Sequence, residues 1–485
     1  MGIILGIDLG TTFSAVAYWD ESTGTPVVVP NEFGQLTTPS VIWSDGNVVH
    51  VGQQAVEKRA SGIEPIEFVK RGMGDPEYSR PLSGTTLNAD ELSALILAKL
   101  VKDANFWLKK SGISTSCIKD VMISVPAYFG NPQREATIKA GYLAKLNVIG
   151  TINEPTAAAI SHGAGMNMNK AIMVFDLGGG TFDVTIMKLN SKGDLEVIVS
   201  YGNMNIGGKD WDAELQDYLI DRLQEDYNKS VPIYDLSLLR DEARDVKIAL
   251  SRSEKASAKY EQINIPITRA EFEKKTKRLI AKCRAACKIV MDDAKKKKGI
   301  FSWDDIQELV LVGGSSRMPM IHNLAGDFFK GEIKCSDDLY DLAVAKGAAI
   351  YARNAIKITD VAPKSLGIRL DNGFQVMISN NTPLPCSVSK DFYAPVSAKV
   401  TILQGTGESL LGYIDIGEIA LKNNRAENVK ITFSYDINGV INISSVFRNG
   451  EEKSLRIQSK FLHENEINRI ADDQKGFKEI LKKLK

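Results

Sequence analysis

Residues 171–187 read Ala-Ile-Met-Val-Phe-Asp-Leu-Gly-Gly-Gly-Thr-Phe-Asp-Val-Thr-Ile-Met. An apolar run stops at Asp176, three glycines follow, and Thr181 and Asp183 open a second apolar run. The pattern predicts strand, tight turn, strand. Glycine lets such a turn approach a ligand closely, and its backbone N–H groups form a concavity for phosphate oxygens. Asp176, at the strand end, suits a hard cation, directly or through water. An ordinary hairpin with a flexible tip would use the same residues. The N-terminus argues against that by repeating the pattern: Asp8-Leu9-Gly10 matches Asp176-Leu177-Gly178, and Thr12-Phe13 matches Thr181-Phe182. Two copies about one domain length apart predict two similar lobes facing each other. Two glycine turns, two threonines and two carboxylates would then converge on one Mg-nucleotide. The chain has no Gly-x-x-x-x-Gly-Lys-Ser/Thr run, which excludes a P-loop.

With 485 residues the chain is long enough for two to four domains. Its 60 basic and 60 acidic residues balance, so charge makes no case for nucleic acid or an anionic membrane. Lys295–Lys298 reads as a solvated helix C-terminus. Cys117, Cys283, Cys287, Cys335 and Cys386 are odd in number and show no disulfide spacing, as expected of a cytoplasmic protein. No apolar run reaches membrane-spanning length, and the N-terminus enters a strand without a signal-peptide pattern.

Along the chain, residues 1–60 read as mostly β, 90–110 as a helix and 121–125 as a buried strand ended by Pro126, with a helix following through Arg134. Lys70 and Arg71, taken alone, read as a solvated helix face. Glu154 opens a helix, where a carboxylate is favoured whether or not it is catalytic. Ile206-Gly207-Gly208-Lys209-Asp210 is a turn opening a helix, and amphipathic helices follow at 236–252 and 269–295. Leu309–Val312 runs into Gly313-Gly314-Ser315-Ser316-Arg317, a strand, glycine turn and helix start that serves equally for phosphate or ribose contact and for close helix packing. A small-residue helix is expected at 343–355. Near residue 356 helical spacing gives way to short alternating strands, with turn signals at Asp436–Gly439 and Arg448–Gly450, predicting a β-sandwich of roughly one hundred residues. Ile467, Ile470, Phe477, Ile480, Leu481 and Leu484 form a packing stripe on a final charged helix.

Ile7–Thr12, Asn153-Glu154-Pro155-Thr156-Ala157-Ala158-Ala159, Phe175–Val184 and Leu311–Arg317 resemble the motifs of the Hsp70 (DnaK-type) chaperone family, in family order. Ser365–Ile368, Asn381–Pro385 and Leu403–Gly405 extend the resemblance into the β region, and Phe68–Gly74 and Phe433–Gly439 are most similar to the divergent HscC-like bacterial branch. The resemblance implies an α/β, two-lobed actin-like (ribonuclease H-like) ATPase domain at 1–355, a linker at 356–360, an all-β peptide-binding sandwich at 361–461 and a remnant of a helical lid at 462–485. It implies ATP or ADP, Mg²⁺ and K⁺ as ligands. Asp8 and Asp176 would hold Mg²⁺ through water, and Asp8 and Asp183 would help bind K⁺. Gly10, Thr11, Thr12 and Phe13, with Gly178, Gly179, Gly180 and Thr181, would cradle the phosphates. Lys70, Glu154, Asp176, Thr181 and Asp183 would be catalytic. Gly207, Gly208, Lys247, Ser251, Gly313, Gly314, Ser315, Arg317 and Asp341 would surround the rest of the nucleotide, with Arg317 stacked on the base. Pro126 and Arg134 match the interlobe switch. Ile368, Phe392, Ala398 and Val400 match the peptide cleft, although from the residues alone they read as sandwich core.

The implied partners are unfolded polypeptides, a J-domain cochaperone and a nucleotide exchange factor. Four departures bear on these expectations. The lid is short, which predicts fast peptide exchange; the linker lacks the usual leucine run; Gly150 stands where an arginine usually engages J-domains; and Arg244 replaces a usual glutamate near the adenine. Two other readings stay open: a nucleotide-gated interaction module without refolding activity, and an actin-fold small-molecule kinase.

Overall fold

The computed structural model describes residues 2–113, 116–163, 170–190, 194–296, 302–353, 356–370, 373–394, 398–407, 410, 413–421, 426–437, 439–447, 452–455 and 475–484. The turn signal Arg448–Gly450 and the stripe residues Ile467 and Ile470 lie outside them.

Two six-stranded sheets are built on one plan. In the first, Leu5–Asp8, Phe13–Asp20 and Thr25–Val29 form an antiparallel meander. Asp120–Val125 and Asn147–Asn153 then add in parallel beside Leu5–Asp8. In the second, the meander is Lys170–Leu177, Phe182–Leu189 and Leu195–Asn203. Glu308–Val312 and Glu332–Lys334 add in parallel beside its first strand. The sequence repeat is therefore a repeat of topology. Each Asp-Leu-Gly turn joins the first two strands of its meander, and each aspartate ends a strand buried on both faces.

The sheets are held together by two small-residue helices, Glu154–Gly163 and Ala343–Ala352. A Cβ on Gly347 would lie 1.8 Å from the Ala157 carbonyl oxygen, and one on Gly6 would lie 2.2 Å from the Ala349 nitrogen. Alanine and glycine fill this seam because larger side chains would force the sheets apart. The helices outside are capped as their sequences suggest. Asn88 with Glu91, and Thr268 with Glu271, form capping boxes at the starts of Ala89–Lys110 and Arg269–Lys295.

After residue 360 two four-stranded antiparallel sheets share one core of Leu366, Ile368, Ile402, Val429, Ile431 and Phe433. Three further features tie this part to the rest. Ile358–Thr359 pairs in parallel with Leu195–Glu196, adding an edge strand to the second sheet. Buried Gln404 accepts from the Asn131 backbone N–H (3.0 Å) and donates to the Tyr435 hydroxyl (2.7 Å), while Asn131 Oδ1 accepts from the Ile441 N–H. Finally, helix Lys475–Lys482 lies against the first sheet's outer layer: Phe477 and Ile480 are buried in that core, and the Val49 N–H donates to the Lys483 carbonyl at 2.9 Å. The described part of the C-terminal stripe, Phe477, Ile480, Leu481 and Leu484, thus packs on the N-terminal half of the chain rather than over the sandwich.

Candidate active site

The two Asp-Leu-Gly turns meet across a cavity of about 710 Å³. A Cβ on Gly179 would lie 1.9 Å from the Thr12 hydroxyl, and one on Gly180 would lie 2.3 Å from the Thr11 methyl carbon. Only glycine permits this interlock. Within the first turn, a Cβ on Gly10 would strike the Phe13 carbonyl at 1.9 Å. Ser14 and Ser40 fix its backbone, Ser14 accepting from the Gly10 N–H and Ser40 donating to the Gly10 carbonyl. The third glycine turn closes against the second: the N–H groups of Gly208 and Lys209 donate to the carbonyls of Gly178 and Gly179, both at 2.9 Å. Gly313 has φ +82°, and a Cβ there would meet the Leu177 carbonyl at 2.4 Å.

At the floor of the cavity lie buried carboxylates. Burial, reinforced by the charge of Glu154, pushes Asp8 up to about 7, and the Ser124 hydroxyl donates to it. Asp176 is raised well above the usual range by burial and by Glu154 and Asp8. Both oxygens of Asp183 are buried without a well-aligned hydrogen-bond donor among the described residues. The Tyr128 backbone and Lys70 lower its pKa, but burial with Glu154 and Asp176 outweighs them. A buried carboxylate left unsatisfied in this way calls for a cation. Among the described residues no three His, Cys, Asp or Glu side chains are arranged to hold one metal ion directly. Asp8, Asp176 and Asp183 nevertheless supply buried carboxylate oxygens, the hard donors that suit Mg²⁺.

Lys70 is buried here, ion-paired with Glu154. The solvated helix face that its neighbours suggest is replaced by a short turn, Val69–Gly72. Arg71, beside it, grips Asp210 and the Gly180 carbonyl (2.7 Å) across the cleft. Arg59 spans the cleft farther out to Asp241 at 2.9 Å.

At the other end, Lys247 pairs with buried Asp212 (2.6 Å) and donates to the Gly208 carbonyl. Ser251 donates to the Lys247 carbonyl. Arg317 is held flat by Asp341 and Asp337, with its guanidinium 4.6 Å from the Tyr340 ring centre. Gly314, Ser315 and Arg244 line the same end.

A family model described as Hsp70 protein matches residues 4–82 and 60–485. The chain belongs to the Hsp70 family. It is 33% identical to the chaperone protein DnaK of Metamycoplasma hominis over 97% of this chain and 84% of that one. Identity is 34% to the DnaK of Mycoplasma mobile, over 99% and 83%, and to that of Thermotoga maritima, over 99% and 85%. As an Hsp70 it is an ATP-hydrolysing chaperone whose nucleotide is ATP or ADP with Mg²⁺. No helix among the described residues is long and apolar enough to cross a membrane.

Not every expected site residue of this Hsp70 reaches the cavity wall. Gly180, Gly207 and Asp183 stand behind it, Gly207 because a Cβ would strike the Gly180 backbone at 2.4 Å. Pro126 and Arg134 are buried away from it. Arg134 donates to the Phe129 carbonyl and to Asn153, which in turn donates to Asp360. Ile368 is in the sandwich core, and Phe392 and Val400 are half-buried at its edge. Ala398 lies on a strand, its side chain outside what is described. Sequence reasoning missed Phe68, Lys209, Asp212 and Tyr340, all lining the cavity. Asp212 could have been found, since it follows Gly208 by four residues on one helix face. Phe68 and Tyr340 carry no such signal.

Proposed function

We propose that residues 1–355 form a two-lobed, actin-like (ribonuclease H-like) ATPase domain closing on ATP, that 356–360 are the linker, and that 361–461 form a sandwich whose grip on extended hydrophobic segments of unfolded polypeptides the nucleotide controls. The observation carrying this reading is the interlock of the two glycine turns, Thr12 against Gly179 and Thr11 against Gly180, on one cavity floored by Asp8 and Asp176. In this reading Gly10–Phe13 and Gly178–Thr181 cradle the phosphates. Asp8 and Asp176 hold Mg²⁺ through water, and Asp8 and Asp183 serve K⁺. Mg²⁺, when bound, neutralises phosphate charge. Lys70 donates toward the terminal phosphate, and its partner Glu154 orients the attacking water. Positioning and charge neutralisation are most of what phosphoryl transfer requires. Lys247, Ser251, Gly314, Ser315, Arg317 and Asp341 enclose the adenosine.

Beside Ile368, Phe392, Ala398 and Val400 an extended peptide would gain backbone hydrogen bonds and one or two buried side chains, each apolar one contributing roughly 2 kcal/mol. Such binding is weak and general, as a chaperone needs. A nucleotide exchange factor remains part of the proposal. So does a J-domain partner, although Gly150, at a register shift of its strand, offers no side chain there.

The test is ATP titration followed by single-turnover hydrolysis. Lys70→Ala should bind ATP yet hydrolyse it about 100-fold or more slowly. ATP should also hasten release of a fluorescent peptide. Absence of ATP binding sinks the site; hydrolysis without any change in peptide release leaves the nucleotide-gated module instead.

A further inference from the structure

The cations around the cavity are nearly all committed to carboxylates. Lys70 is on Glu154, Arg71 on Asp210, Lys247 on Asp212, and Arg317 on Asp337 and Asp341. Lys209 differs. It lines the cavity half-buried, with no carboxylate in ion-pair range among the described residues. Arg252 also lacks an ion pair there, but it is exposed and lies toward Asp337, at the adenosine end. The backbone N–H of Lys209 is tied to the Gly179 carbonyl, so its Cα is fixed on the second glycine turn. Its ammonium rests 5.0 Å from the ring centre of Phe68, which belongs to the strip carrying Lys70 and is itself part of the cavity wall. Arg71 grips Asp210, so the neighbours of Lys70 and of Lys209 are clamped together across the cleft.

We propose that Lys209 is a further phosphate-binding residue of this site, reaching the outer phosphates opposite Lys70 and favouring a nucleoside triphosphate over the diphosphate. The proposal rests on the ATP-site reading above. Three observations carry it: the anchored backbone, the aromatic rest that holds the ammonium at the phosphate end, and the lack of a competing carboxylate. The electrostatics agree. Burial, and then the Arg71 guanidinium, pull the Lys209 ammonium down to about 8, with Arg240 acting the same way and Asp210 opposing. A phosphate oxygen relieves that cost, because it returns a counter-charge to a cation removed from water. The Phe68 ring supplies a resting place that a cation leaves readily, a contact weaker than a charge-assisted hydrogen bond.

The test is calorimetric titration of the full chain with ATP, ADP and AMP, each with Mg²⁺, comparing the native protein with Lys209→Gln and Lys209→Arg. Lys209→Gln should weaken ATP about tenfold, ADP less, and AMP hardly at all, the loss expected for one charge-assisted contact. Lys209→Arg should recover most of the ATP affinity. Raised salt should weaken ATP less in Lys209→Gln than in the native chain. Equal weakening of all three nucleotides, or none, overturns the role of Lys209 while leaving the site intact. If the native chain binds no ATP, the site reading itself fails and Lys209 falls with it.

Discussion

Gly179 is where the two halves of the site come within one atom of each other. A methyl group there has no room beside the Thr12 hydroxyl, whereas at Gly178 the nearest atom is an ordinary 3.8 Å away. Overpacking of this kind costs about 1–3 kcal/mol. Gly179→Ala should therefore lower the melting temperature and weaken ATP at least about tenfold, because relief of the clash parts the two turns. Gly178→Ala should leave the melting temperature close to native. Thermal melts and ATP titration of both variants separate a requirement for close approach from a general need for turn flexibility. The paired motif was legible because both partners carry the same unusual residues. Lys209 and Phe68 were not legible: a lysine after a glycine pair and a phenylalanine before Val69 are common, and their meeting depends on how the lobes close. Lys70 was misleading for the same reason, since the carboxylate that justifies its burial, Glu154, is far away in sequence.

Among the elements, the strand Ile358–Thr359 shows how a short strand borrows its stability. Ile358–Thr359 has two ladder partners, Leu195 and Glu196, and the Leu195 N–H donates to the Lys357 carbonyl at 2.9 Å. Val361 is buried, and Ile356 and Ile358 pack against the core between the two six-stranded sheets. Ile356, Ile358 and Val361 are apolar in the sequence, but no sequence rule names the edge that Ile358–Thr359 joins. The longer helices needed no such partner to be read: Leu236–Arg252 and Arg269–Lys295 announce themselves by periodicity and, at Thr268 and Glu271, by a capping box.

Docking of the segment 356–360 should depend on pH through Asp360. Its pKa is raised by burial, against the opposing pull of the Val361 N–H, Arg134 and Asn153. A carboxyl whose docked value exceeds its free value takes up a proton on docking. The docked state is then relatively favoured in acid, and loses that increment as pH rises from the free value through the raised one. Limited proteolysis at 356–360 should be slower near pH 5 than near pH 7.5, with the difference much reduced in Asp360→Asn. Faster cleavage in acid would contradict the assignment.

For the molecule as a whole, one contact between the sandwich and the rest of the chain is a small buried polar cluster. Gln404 is fully buried and bonded on both sides, to Asn131 outside the sandwich and to Tyr435 within it. Truncating it strands a backbone N–H and part of a hydroxyl's bonding, each costing about 1–3 kcal/mol if they stay buried. Gln404→Ala should leave ATP affinity within about twofold of native while removing most of the ATP-induced change in peptide release. Stopped-flow peptide release, run beside ATP titration, checks both halves; unchanged acceleration by ATP would mean the contact is incidental. The sandwich itself was legible from its alternating strands and turns. Its seat was not, since Gln404 reads as any polar strand residue until Asn131 is beside it.

The C-terminal helix alters what freedom the sandwich can have. One end of that module is stitched into the second six-stranded sheet at Ile358–Thr359, and beyond its other end Phe477 and Ile480 are moored in the core beside the first. The chain is thus fastened at two places, before the module at Ile358–Thr359 and beyond it at Phe477 and Ile480. Letting go of one mooring leaves it leashed by the other, so recapture is an intramolecular event at high effective concentration.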